Sequence, residues 1–217
     1  MVDIDFDEID RKQPSSESDD SLLSRYIKSP SVQLGKLTQS SFDIQELIDF
    51  YDGDTKPTTL PEHPDTAKDV ANIFEKVQLS WSGSSIGWYG VVDHSNHGKY
   101  VGDVMVGPID WDRSQVSIKF YIPNKKNCIP DVIGSMAFVL ANDLGIDLIR
   151  VHAKEDSAQQ TNSIITSFNG EYEGERRVYD HREQFSLVHT WSVTAPEILD
   201  NENSVQTEFS YDSEEEE

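Results

Sequence analysis

Val116-Ser117-Ile118-Lys119-Phe120-Tyr121-Ile122 alternates apolar and polar residues without a break. A period of two is the mark of a strand with one buried face. A polar loop follows over residues 123–130, and Asp131 to about Leu144 then reads as a helix. Val132, Ile133, Met136, Ala137, Phe138, Val139, Leu140 and Ala141 make it apolar on nearly every side, so it is predicted to be buried on most of its surface. Gly145 stops it, and Asp147-Leu148-Ile149-Arg150-Val151-His152-Ala153 is the next strand. The connection between the two strands is long enough for a parallel crossover.

Upstream, Gly87–Asp93 and Tyr100–Val106 read as two strands joined by a hairpin turn at His94–Gly98, and residues 109–114 turn the chain again. Two helices precede them. Ser41 is a plausible N-cap for the first, whose face is Phe42, Ile44, Leu47, Ile48 and Tyr51. Asp65-Thr66 caps the second, with Val70, Ile73, Phe74, Val77 and Trp81 at helical spacing. Residues 31–38 form a short strand. Downstream come a short helix, Ser157–Phe168, and two last strands, Tyr172–Tyr179 and Phe185–Val193. The class is therefore α/β: a mixed (α+β) sheet of about seven strands with helices on both faces. The expected domain spans residues 31–198, between disordered acidic segments at 1–30 and 199–217.

Charge is spread unevenly. The 217 residues carry a net charge of −22, from 40 acids and 18 bases. Residues 1–20 hold eight of the acids, and residues 200–217 hold eight more with no base. A field of this sign repels phosphate backbones and anionic membranes, so nucleic-acid and membrane partners are not expected. Acidic solubility of this kind fits a halophilic, salt-adapted protein. No apolar run approaches the roughly 18 residues of a membrane span, and the N-terminus is acidic where a secretory signal would be basic and then apolar. The expected location is cytoplasmic. Cys128 is the single cysteine, which excludes an internal disulfide, and the six histidines show no metal spacing. No metal is expected.

Several local strings resemble the RimJ/RimL branch of the GNAT acetyltransferases. Tyr100-Val101-Gly102 followed by Ile109-Asp110-Trp111-Asp112-Arg113 is similar to that branch's glycine-bearing strand and D-W-D-R turn. Ala137-Phe138 with Leu144-Gly145-Ile146-Asp147 resembles the end of its main helix. Glu173-Gly174-Glu175-Arg176-Arg177 resembles its E-G-x-x-R strand, and Thr190 to Glu197 its closing Y-S-I-T-x-x-E. The resemblance implies acetyl transfer from acetyl-CoA to a primary amine, either a protein N-terminus or a small molecule. It implies two strands that part, with the pantetheine arm between them against the backbone of Phe120, Tyr121 and Ile122. The diphosphate would meet the helix start and its loop, residues Lys125, Lys126, Asn127, Cys128 and Val132.

Two departures stand out. The family's phosphate loop carries glycines, and residues 124–132 contain none; Pro130 also lacks an N–H, and Asp131 places a carboxylate at the helix start. Lys125 and Lys126 read equally as phosphate partners or as a solvated loop. In the next helix the family's N-x-x-S is absent, leaving Asn162, or else Gln159 or Gln160, as substitutes. Glu173 and Asp103 are the candidate catalytic bases, each also readable as a strand-surface acid. Trp88 and Trp111 are candidate walls of an acceptor cleft. A catalytically inactive GNAT-like domain serving as a protein-interaction module is the alternative function, and oligomeric state is left open.

Overall fold

The structure, a computed structural model, describes residues 26–201 apart from positions 30, 40, 52–58, 61–63, 83–85, 95–97 and 180–184. One eight-stranded sheet runs through the domain: β1 Tyr26–Lys28, β2 Val32–Lys36, β3 Gly87–Asp93, β4 Lys99–Val106, β5 Gln115–Tyr121, β6 Leu148–Lys154, β7 Glu171–Tyr179 and β8 Phe185–Thr194. The spatial order is β1-β2-β3-β4-β5-β6-β8-β7. Every neighbouring pair is antiparallel except β5 and β6. The helices are α1 Ile44–Tyr51, α2 Ala67–Ser82, α3 Ile129–Asn142, α4 Ala158–Ser167 and α5 Ala195–Leu199.

Sequence periodicity locates most of these elements within a few residues, with two corrections. The sheet begins earlier than residue 31, because Tyr26–Lys28 pairs with Gln33–Gly35 as an edge strand. Thr194 also opens a short final helix through a capping box with Glu197, where the sequence reading placed only the end of a strand.

Alternation along β5 separates the two faces of the sheet. Val116, Ile118 and Phe120 are buried, whereas Ser117, Lys119 and Tyr121 are half-buried. Tyr121 stacks on Tyr51 of α1, with ring centroids 6.1 Å apart, so α1 and α2 cover the Tyr121 face. α3 lies on the other face, with Ile129, Val132, Ile133, Met136, Val139 and Leu140 all buried against the sheet, α4 and α5. Its start differs from the sequence reading. The helix opens at Ile129, and Pro130 sits inside the first turn, where its missing N–H would have no helical partner anyway. Phe42, just ahead of α1, rests its ring on Gly90 of β3, where a Cβ would come within 2.4 Å of the ring.

Gly102 fixes how β4 meets β5. A Cβ there would lie 2.1 Å from the carbonyl oxygen of Tyr121, so the end of β5 crosses directly over a position that only glycine can fill. Gly102→Ala is predicted to destabilise the fold by about 1–3 kcal/mol through forced separation of the two backbones. Urea denaturation midpoints would measure it, and an unchanged midpoint would mean that the crossing relaxes at no cost.

Candidate functional site

The ladder between β5 and β6 stops early. It runs from Gln115↔Leu148 to Lys119↔His152 and no further. Beyond that point β5 stays paired with β4, through Phe120↔Val104 and Tyr121↔Asp103. β6 stays paired with β8, through Ala153↔His189 and Lys154↔Val188. The facing edges at Phe120–Tyr121 and Ala153–Lys154 are thus unpaired with each other, and Ile122 follows on the open side. Backbone groups left this way in a sheet interior seek a partner. α4 starts four residues after β6, and in its first turn the side-chain oxygen Oε1 of Gln160 is buried with no hydrogen-bond partner.

The start of α3 is arranged differently. Residues Lys126–Cys128 form a 3-10 turn that leads into the helix. Cys128 N–H donates to Lys125 O at 3.0 Å, and Ile129 N–H donates to Lys126 O. Ile129 thus spends its N–H and Pro130 has none, which removes two of the N–H groups usually free at a helix start. The Asp131 carboxylate accepts a hydrogen bond from Ser31 Oγ. Lys125 Nζ lies 2.8 Å from the buried Asp93 carboxylate. Lys126 Nζ donates to Asp156 O at 2.7 Å and sits 3.6 Å from the Asp156 carboxylate. Cys128 is buried, and burial with nearby Asp93 pushes its thiol up to about 11, so it is protonated and unreactive at neutral pH. Asn127 is exposed and Val132 is core. The residues present therefore fit a pantetheine arm along the strand edges, and they do not form an N–H cradle for a diphosphate.

Asp103 is not a surface acid. It is fully buried on β4, opposite Tyr121, and its carboxylate accepts hydrogen bonds from Tyr51 Oη and Thr59 Oγ1. Tyr100 Oη lies 3.3 Å from Tyr51 Oη, and Trp88 Nε1 donates to Thr59 O at 2.6 Å. Burial pushes the Asp103 carboxyl from 3.8 to about 7, against the Tyr51 hydrogen bond, which lowers it. Burial also raises the Tyr51 and Tyr100 phenols well above 10.0. The cluster joins the segment after α1 to the sheet, and Trp88 is part of it. Trp111 is 38% exposed in the turn before β5, at the far end of that strand from the parting point. The structure does not bring the two tryptophans together.

Glu173 sits where β7 slips register against β8, between Tyr172 and Gly174. Arg150 Nε donates to both its carboxylate oxygens at 3.2 and 3.3 Å, and Arg150 Nη1 donates to Gln115 Oε1 at 2.7 Å. Beside them is His152, the last paired residue of β6. Its Nδ1 is 3.0 Å from Thr190 Oγ1 and its Nε2 is 3.3 Å from Ser117 Oγ. Burial first, then Arg176 and Lys119, lowers His152 to about 4, so the ring is neutral at pH 7. Arg150, His152, Glu173, Gly174, Glu175, Arg176 and Thr190 line an open depression of about 330 Å³. The sequence reading gave His152 no role. The signal lay in β6, where Arg150 and His152 alternate with Ile149, Val151 and Ala153. On α4, Gln159 is exposed and Asn162 Oδ1 accepts from Trp191 Nε1 at 3.1 Å, so that amide is occupied by β8. No His/Cys/Asp/Glu group able to hold a metal occurs among the described residues, and none of their helices is long and apolar enough to cross a membrane.

The same overall fold recurs in solved structures. The fold is that of the GNAT acetyltransferases. A GCN5-related N-acetyltransferase from Brucella melitensis superposes with a TM-score of 0.62 at 15% identity, over 82% of each chain. A dodecameric spermidine N-acetyltransferase from Vibrio cholerae gives 0.59 at 11% identity, over 79% of this chain and 98% of its own. Comparison of the sequence with family models and with curated proteins gave no match.

The Asp103 cluster carries a pH signature. The unfolded chain releases this proton near 3.8, whereas the folded chain keeps it to about 7. Asp103 thus supports the fold most at low pH, and that support is lost as pH rises through this window. Asp103→Asn is predicted to remove this component. The difference in stability between wild type and variant, measured by denaturation from pH 4 to 8, should change across the window and level off above it. A difference independent of pH would show that Asp103 ionises normally.

Proposed function

We propose that the protein transfers an acyl group, acetyl from acetyl-CoA, to a primary amine. The observation that carries this reading is the end of β5–β6 pairing at Lys119↔His152, which leaves two backbone edges facing each other inside the sheet. Bound acetyl-CoA would supply the thioester. Backbone groups of Phe120, Tyr121 and Ile122 would hold its arm, with Gln160 Oε1 in reach of the same end of β6.

This chain's own residues then handle the amine. An alkylammonium ion must lose a proton before it attacks a carbonyl, and Glu173 is a carboxylate in the depression lined by His152, the last paired residue of β6. It takes the proton directly or through water. Arg150 fixes its orientation with two hydrogen bonds. His152, neutral and tied through both ring nitrogens to Ser117 and Thr190, braces the wall of the depression and adds no charge to it. Asp103 touches no solvent, so it organises the wall rather than meeting the acceptor. The leaving thiolate resembles a free Cys, with a pKa near 8.5, and needs no strong acid to depart.

A second reading, a non-catalytic interaction module on the same fold, is favoured by the spent helix start and by Lys125 and Lys126 being held by internal acids. One set of measurements separates the two. Calorimetry with acetyl-CoA is expected to give saturable heat, weaker than a glycine-cradled diphosphate would give, and thiol release should follow on adding an amine panel. Glu173→Gln should lower kcat/KM by about 10²-fold or more while acetyl-CoA still binds. No heat at millimolar acetyl-CoA, with no thiol released for any amine, would leave the interaction module standing.

A further inference from the structure

Bases are scarce in this chain, at 18 against 40 acids, yet four of them share the face of the sheet that α1 and α2 cover over β4 and β3. Lys119 pairs with His152 across β5 and β6, so their side chains share a face. Arg150 and Lys154 flank His152 two residues away on either side and share that face by alternation. Arg176 lines the same depression from β7, in line with Val188 and Lys154. Lys119, Lys154 and Arg176 make no ion pair among the described residues, unlike Lys125 and Lys126 at the start of α3. Two acids line the depression, Glu173 and Glu175, and the first is already engaged by Arg150. Glu175 lies toward His189 Nδ1 at 3.9 Å. The positive field is also felt by the His152 ring, which Arg176 and Lys119 both help to keep neutral.

We propose that this depression is an anion site, and that the acceptor is an amine bearing a carboxylate, such as an amino acid or an acidic peptide N-terminus. This deepens the acyl-transfer reading and rests on it for the fate of the amine, but the binding half stands by itself. The two ends of such a molecule match the two signs of charge present. The carboxylate meets Arg176 in the lining, with Lys119 and Lys154 on the same face beside it, and the ammonium meets Glu173 beside His152 and Thr190. A polyamine finds two carboxylates here, one already shared with Arg150 and the other beside His189, and repulsion from Arg176, Lys119 and Lys154. The acidity of the whole chain does not cancel this, because charges beyond about 8–10 Å are screened at ordinary salt while those in the depression act at contact.

The test is direct titration of the full chain, without acyl donor, by calorimetry in 0.1 M salt with glutamate, alanyl-glutamate and spermidine as probes. The carboxylate probes are expected to bind at least about tenfold tighter than spermidine. Preference between glutamate and the dipeptide tells a free amino acid from a peptide end. The double variant Lys154→Gln, Arg176→Gln should weaken the carboxylate probes by about 10–100-fold. It should leave the melting temperature and any acetyl-CoA heat unchanged, and Lys154→Arg, Arg176→Lys should restore binding. Spermidine binding as well as glutamate, or a double variant with full glutamate affinity, would overturn the anion site. If glutamate binds but no thiol is released from acetyl-CoA, acyl transfer fails and the anion site stands. Acetylation of spermidine without glutamate binding would do the reverse.

Discussion

Hydrogen-bond ladders between strands normally run until a strand ends, because an unpaired backbone group away from water is costly. The β5–β6 ladder stops while both strands continue, and the rest of the architecture is built around that stop. β4 holds the far edge of β5 through Phe120 and Tyr121, and β8 holds the far edge of β6 through Ala153 and Lys154. Each strand is therefore committed to an outer neighbour that draws it away from the other. Gly102 permits the closest part of this arrangement, where β4 passes under the Tyr121 carbonyl. α3, buried on nearly all sides, keeps the parted strands from collapsing toward each other.

Much of this was legible because it is periodic. The alternation from Val116 to Ile122 and the all-round apolar helix after it state the crossover unit outright, and β3 is found at its observed bounds. β1 was missed because three residues, Tyr26–Lys28, carry no period; only pairing with β2 makes them a strand. α5 was readable in principle from Thr194 and Glu197, whose spacing is that of a capping box. The burial of Asp103 was not readable at all. Its partners Tyr51 and Thr59 stand 52 and 44 residues away in the chain, and nothing local distinguishes it from an acid on an exposed strand.

The two ends of the site show opposite uses of charge. At the start of α3 Lys125 faces the buried Asp93 and Lys126 the exposed Asp156, and a 3-10 turn uses the N–H groups of Cys128 and Ile129. Over β5, β6 and β7, Lys119, Lys154 and Arg176 are left open. A glycine-free loop with lysines invites the thought of phosphate binding, but Lys125 and Lys126 are structural ties. The residues that the sequence offered no reason to notice, Lys119, Lys154 and Arg176, are the ones with charge to spare. Which lysine can receive an anion is decided by what folds against it, and that is tertiary information.

The outer strands have a consequence for how the molecule behaves among its own copies. A sheet open at both ends invites strand addition and fibre growth. Here one rim is only three residues long, and the other, β7, displays Glu171, Glu173, Glu175, Arg176 and Arg177 in close succession. A second β7 laid alongside in register would set like charges against each other at each of these positions. The same row of side chains that furnishes the depression thereby discourages the sheet from templating its own extension.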